Sequence, residues 1–168
     1  MLVHMNETPR WLSPAEQRAW RSFIDMHLKL TGRLSRQLQT ESGLSAADFA
    51  VLVALTDLPD GRRRLLDLAK SVGWEKSRMS HHITRMAKRG LATREECAED
   101  GRGAFVVITP AGREAIEAAA PRHVEAVRDL FLDHVTPAEL GVLARVSERI
   151  MTRLDEAPFP DPQAAADA

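Results

Sequence analysis

Apolar residues recur along this chain with helical spacing over most of its length. Trp20, Phe23, Ile24, Leu34 and Leu38 fall on one helical face, with His27 and Thr31 as polar interruptions. Ser13-Pro14-Ala15-Glu16 predicts the start of that helix. Serine caps, proline suits the first helical position, and a glutamate three residues after the cap closes a capping box. The helix is expected to reach about Leu38, with Gly43 as its stop. Ser45-Ala46-Ala47-Asp48 caps a second helix carrying Phe49, Leu52, Val53 and Leu55, and Leu58-Pro59-Asp60-Gly61 reads as a turn. A short helix follows from about Leu65 to Val72, with Leu65, Leu68, Ala69 and Val72 inward, and Gly73 ends it. Another runs from about Lys76 to Arg89 and stops at Gly90.

The pattern then turns to strand. One strand is expected around Leu91 to Glu95 and a second over Ala104 to Ile108, where Phe105-Val106-Val107-Ile108 is rich in β-formers. The polar loop between them holds Asp100-Gly101, so the two strands form a hairpin, the only strands expected. Thr109-Pro110 starts a further long helix, in which Pro121 should make a kink or a break. Thr136-Pro137-Ala138-Glu139 repeats the capping box, and the last helix runs to about Leu154. The expected fold is mainly α with a small β wing. Residues 45–109 form a winged helix-turn-helix region, and residues 13–42 and 110–155 form a helical dimerisation region. Residues 1–10 and 158–168 are expected to be flexible.

The helix from Lys76 carries the chemistry. Met79, Ile83, Met86 and Ala87 are expected to face the core. Ser77, Arg78, His81, Thr84, Arg85 and Lys88 lie around the opposite side, with Ser80 and His82 on the flanks. No acidic residue occurs between Lys76 and Arg94. Such a face can donate hydrogen bonds to guanine N7 and O6 and to phosphates, which points to the major groove of double-stranded DNA. In the hairpin, Asp100-Gly101-Arg102-Gly103 leaves Arg102 free to project. Arginine at a hairpin tip can read a narrow minor groove, with Asp100 orienting it.

Charge supports this once it is read locally. The net formal charge of the 168 residues is −1, yet Arg62 to Arg113 holds 12 Lys/Arg against 6 Asp/Glu. That stretch is basic and the two ends are acidic, as expected if the middle meets a polyanion and the ends have another task. The longest apolar run, Phe49 to Leu55, is far short of the roughly 20 residues of a membrane span. No secretory signal is visible at the N-terminus, and one cysteine leaves no internal disulfide or cysteine-based zinc site. A cytoplasmic protein is expected. Val124, Val127, Leu130, Phe131, Val135, Leu140, Leu143, Val146 and Ile150 exceed what a small winged core can cover, so a homodimer is expected. Two-fold pairing predicts an inverted-repeat operator with half-sites about 10 base pairs apart.

Asp100-x-Arg102 followed by Ile108-Thr109-x-x-Gly112, together with Ser77-x-x-Ser80 and Arg85-Met86-x-x-x-Gly90-Leu91, resembles the MarR family of bacterial transcription regulators. Leu44-Ser45 with Phe49 and Leu52 resembles that family's second helix. The resemblance spans about Ser13 to Leu154. It implies an obligate homodimer with interleaved terminal helices and repression relieved by a small ligand or by oxidation. By position it places Ser77, Arg78, Ser80, His81 and Arg85 in the major groove and Arg102 in the minor groove. The His81-His82 pair departs from the basic or small polar pair common there, so base preference does not transfer. It also implies an effector pocket between the dimerisation helices and the winged region, for which Trp20, His27, Phe49 and Leu52 are candidate lining residues.

Other chemistries are weaker. Cys97 is a redox candidate, although Glu95, Glu96 and Glu99 beside it disfavour the thiolate. The six histidines lack chelating spacing, so no metal and no cofactor are expected. No phosphate loop, nucleophile elbow or metalloprotease pair occurs, which argues against an enzyme. An architectural DNA binder without an effector is the remaining alternative.

Overall fold

The computed structural model describes residues 10–96 and 103–156. Its elements run α1 (Pro14–Ser42), α2 (Ala46–Thr56), β1 (Arg62–Arg64), α3 (Leu65–Ser71), α4 (Lys76–Lys88), β2 (Ala92–Glu96), β3 (Ala104–Ile108), α5 (Pro110–Leu130) and α6 (Pro137–Glu156). A 3-10 turn at Leu132–His134 precedes α6. The chain divides into two compact units between Val127 and Arg128.

The helix starts follow from local chemistry. Ser13 and Ser45 each complete a capping box, with Glu16 and Asp48 respectively. α1 continues one turn beyond Leu38; that turn, Gln39 to Ser42, is polar, so the apolar periodicity does not mark it. Gly43 then stops it at φ +69°, where its N–H donates to the Gln39 carbonyl. Pro121 lies within α5 and does not break it. Its missing N–H removes one backbone bond, and the turns on both sides hold the helix together.

The sheet has three strands, not two. β1 pairs antiparallel with β3, which pairs antiparallel with β2, in the order β1-β3-β2. Arg62-Arg63-Arg64 has no alternation of apolar and polar residues, so nothing in its pattern signals a strand. What holds it is its partner. Arg64 is opposite Phe105, and the Arg62 guanidinium lies 3.7 Å from the Phe105 ring centre. Arg62 also pairs with Glu95 of β2 at 3.3 Å, which ties both edges of the sheet together.

One core fills the first unit. Leu52 and Leu55 of α2, Leu68 of α3, Met79 and Ile83 of α4, Val106 of β3 and Ile116 of α5 converge in it. Burying each of these side chains contributes about 1.5–3 kcal/mol. The helix-facing side of β3 is Ala104, Val106 and Ile108, alternating with the half-exposed Phe105 and Val107.

The junction of β3 with α5 is tight. The Thr109 hydroxyl donates to the Gly90 carbonyl and accepts from the Gly112 N–H at 3.0 Å, so one side chain caps α5 and holds the end of α4. Gly112 has no room for a side chain, because a Cβ there would lie 2.0 Å from the Leu91 carbonyl oxygen. In the second unit, Thr136 and Glu139 cap α6 reciprocally. No residue of α6 is buried, and Leu140, Leu143, Ile150 and Leu154 are all exposed.

Candidate nucleic-acid interface

α3 and α4 meet at a turn through Gly73, which adopts φ +67°. The turn sets α4 across α3 with one face dry. Met79, Ile83 and Met86 are 0–1% exposed. Ser77, Arg78, His81, Thr84, Arg85 and Lys88 are exposed on the other side, and Ser80 is half-buried. This part of the expected face is brought together on one surface.

Two residues of α4 sit otherwise than expected. His82 is buried at 5% exposure, so it cannot reach a base edge, whereas Ala87 is exposed. Helical geometry explains both. At 100° per residue the dry arc centres near Met79 and Met86, which puts His82 about 60° and Ala87 about 80° from Met79, on opposite sides. Burial extends further on the His82 side, because the Trp74 ring packs edge-on against His82 at 5.3 Å between centres.

His82 belongs to a buried polar cluster that joins α2 to α4. Arg89 Nη1 donates to Asp48 Oδ2 at 2.6 Å, and Arg89 Nη2 donates to the Gly43 carbonyl at 3.0 Å. Asp48 Oδ2 also accepts the Ser45 N–H at 3.0 Å. Burial pushes the Asp48 carboxyl up, but the Arg89 hydrogen bond, the bonds within the capping box and the Arg89 charge together hold it below its usual value. Arg85 Nη2 lies 3.0 Å from His82 Nδ1. A guanidinium can only donate, so Nδ1 accepts and the imidazole proton belongs on Nε2, 3.2 Å from Asp48 Oδ1 but out of line for a hydrogen bond. Burial lowers the His82 pKa. Asp48 opposes this, and Arg85, Arg89 and Arg78 add to it, so the ring is neutral. Arg78 in turn stacks over Trp74 at 4.3 Å. Two exposed cations of α4 are therefore positioned from behind, Arg85 by His82 and Arg78 by Trp74.

A basic flank of α4 went unread in the sequence. Arg94 of β2 is opposite Val106 in the ladder, hence on the helix-facing side of the sheet, and its Nη1 is 3.4 Å from Ser80 Oγ. It borders two surface cavities of about 420 and 370 Å³, the first with Lys76 and Ser80, the second with Thr84 and Lys88. The available signal was strand alternation, which puts a charged residue at an inward position of β2.

The four residues assigned to an effector pocket do not line one chamber. Leu52 is fully buried in the core, and Phe49 packs against the His123 ring at 4.4 Å. Trp20 and His27 are exposed on α1, in a row with Phe23. Helical spacing in the sequence put Trp20 and His27 on one face but could not say what that face meets. Cys97, Asp100 and Arg102 lie outside the described residues. Among the described residues, no group of three or more His, Cys, Asp or Glu is placed to hold a metal ion, and no helix is long and apolar enough to cross a membrane.

Known proteins share this architecture. A sequence model of the MarR family matches residues 42–103, from the end of α1 through the helix-turn-helix into the hairpin. The crystal structure of AbsC, a MarR family transcriptional regulator from Streptomyces coelicolor, superposes with a TM-score of 0.85 at 39% identity, covering 89% of this chain and 100% of that one. Sco3205, a MarR family regulator of the same organism crystallised in complex with DNA, gives a TM-score of 0.85 at 36% identity, covering 92% and 96%. The transcriptional repressor YetL of Bacillus subtilis is 27% identical over 111 residues, which span 64% of this chain and 66% of that protein. With a winged helix-turn-helix built on the same plan and a relative 39% identical along its whole length, this chain belongs to the MarR family of transcriptional regulators.

Proposed function

We propose that this chain binds double-stranded DNA sequence-specifically as a homodimer and represses transcription. The observation that carries the reading is the face of α4. Six exposed polar or basic residues, Ser77, Arg78, His81, Thr84, Arg85 and Lys88, stand on a helix whose opposite side is locked in the core. None is a carboxylate, and two of the cations are held in place by groups behind them. A face of this kind offers donors to base edges and phosphates without repelling the backbone. That the 36%-identical relative was crystallised in complex with DNA supports DNA as the partner. Arg102, between β2 and β3 in sequence, is assigned to the minor groove, with Asp100 to orient it.

The dimer is supported by apolar surface. α6 is 20 residues long and buries none of them, and an isolated helix of that kind gains nothing from its apolar face in water. Val124, Leu140, Leu143 and Ile150 are 36–56% exposed in the single chain. A second copy supplies the missing cover. The repressor sense is supported by the name of the Bacillus subtilis relative. Release by a small molecule needs a chamber other than one formed by Trp20, His27, Phe49 and Leu52.

Selection from random duplexes of about 30 base pairs tests this. The expected result is an inverted repeat with half-site centres about one helical turn apart, bound with steep salt dependence. A bound pool that stays random identifies an architectural binder, and a pool with a single half-site contradicts the dimer.

A further inference from the structure

We propose that the seam between α4 and β2 seats one backbone phosphate of bound DNA, with Arg94 as its anchoring cation. This rests on the DNA reading above and adds a contact outside the recognition face. A helix in the major groove and a wing directed at the neighbouring minor groove are separated by one sugar-phosphate strand, because that strand is the wall between the two grooves. The strand must therefore pass over the place where α4 meets the wing.

The structure has a basic trough at that place. Lys76, Ser80, Thr84 and Lys88 recur every four residues, so they make one slowly drifting stripe along the flank of α4. The stripe borders both cavities, and Arg94 reaches in from β2 between them. Ser80 carries a short side chain and Ala87 a methyl group, which leaves space on the helix side of Arg94. Among the described residues Arg94 pairs with no carboxylate, whereas Arg62, Arg89, Arg122 and Arg128 each do. Among the described residues its hydrogen bond is the long one to Ser80 Oγ, which leaves other guanidinium donors for a ligand in the cavities that Arg94 lines. Asp67 of α3 lines the first cavity and is the carboxylate an incoming phosphate must avoid. Lys76, Lys88 and Arg94 outweigh it. A guanidinium that offers two parallel donors to a tetrahedral anion, with a lysine on either side, is the usual chemistry of a phosphate contact.

The test uses a duplex recovered by the selection described above. Arg94→Ala should weaken binding about tenfold near physiological salt and lower the slope of log affinity against log salt by about 1, with the selected base preference unchanged. Arg94→Lys should retain most of the affinity. A single methylphosphonate, scanned along the strand between the major-groove and minor-groove contacts, should cost the wild type a similar factor at one position and cost Arg94→Ala nothing further there. Arg94→Gln, which keeps a polar side chain of similar reach without the charge, should give a loss of the same order and serves if Arg94→Ala is poorly folded. Wild-type affinity and slope in Arg94→Ala, or methylphosphonate penalties equal in both proteins at every position, overturn the phosphate seat and leave the DNA reading standing. Failure of the wild type to bind any duplex overturns both.

Discussion

Replacing Arg89 with alanine leaves Asp48 a carboxylate with a side chain only 3% exposed and without its shortest hydrogen bond. Breaking a buried pair from one side costs about 3–5 kcal/mol when the orphaned charge has no other partner. Asp48 retains the Ser45 N–H, and it can escape by taking up a proton, so about 2–4 kcal/mol is expected at neutral pH. Asp48→Asn has no charge to bury and keeps an acceptor for Ser45. Its partner Arg89 is 46% exposed and can turn to water, so about 1 kcal/mol is expected. The two changes should therefore not be equivalent, and adding Asp48→Asn to Arg89→Ala should restore part of the loss. The pH dependence separates them further. In the wild type the Asp48 pKa is lowered by folding. Its contribution is complete above the unfolded value of about 4 and disappears as pH falls through the folded value. In Arg89→Ala burial dominates and the folded pKa rises, so the deficit relative to wild type should shrink as pH falls from about 7 to 5. Urea denaturation followed by helical circular dichroism, at one protein concentration because association contributes, measures both. Equal losses in the two single variants with no change of deficit with pH would refute the buried-charge account.

Burial keeps His82 neutral in the fold, as it does His123, so the unfolded chain takes up protons first and stability should fall as pH drops below about 6.5. His82→Gln should remove its share of that fall, at most about 1.4 kcal/mol per pH unit for one proton, and denaturation at about pH 7.5 and 5.5 would show an undiminished slope if His82 is not involved. Gly112→Ala should cost about 3 kcal/mol or more, because its Cβ meets the Leu91 carbonyl and backbone cannot yield as a side chain can. Gly32→Ala in α1, whose Cβ meets nothing nearer than Arg36 at 3.8 Å, should instead stabilise by about 0.5–1 kcal/mol, and calorimetry on the two variants should find opposite signs.

Much of this molecule is legible in its sequence because its helices announce themselves. The reciprocal caps at Ser13, Ser45 and Thr136 are local chemistry, and the apolar stripe of α4 depends only on periodicity. What was illegible depends on partners distant in sequence. β1 is three arginines whose strand state comes from pairing with Phe105, Val106 and Val107. His82 sits at the edge of the dry arc, and its burial is decided by Trp74 and by Asp48, a whole helix away. The Asp48–Arg89 bond spans 41 residues and leaves no periodic trace. Arg94 needs the register of β2 against β3 before its side chain can be aimed at α4. Trp20, His27, Phe49 and Leu52 are the converse case. They are chemically suitable as pocket lining, but the elements that carry them do not bring them together.

Thr109 and Gly112 make the base of α5 and the end of α4 one mechanical piece. The threonine hydroxyl grips the Gly90 carbonyl while it caps α5, and Gly112 lets the helix backbone rest on the Leu91 carbonyl. α5 has 21 residues, hence a length of roughly 30 Å. Further along, Ile116 and Ala119 seat α5 in the same core as Met79 and Ile83 of α4, so a tilt of α5 about its base would have to carry α4 with it. A shift of about 3 Å at the far tip corresponds to a turn of only about 5° at the pivot, for an arm set by the helical rise. The same two residues that start α5 therefore also fix the pitch of α4.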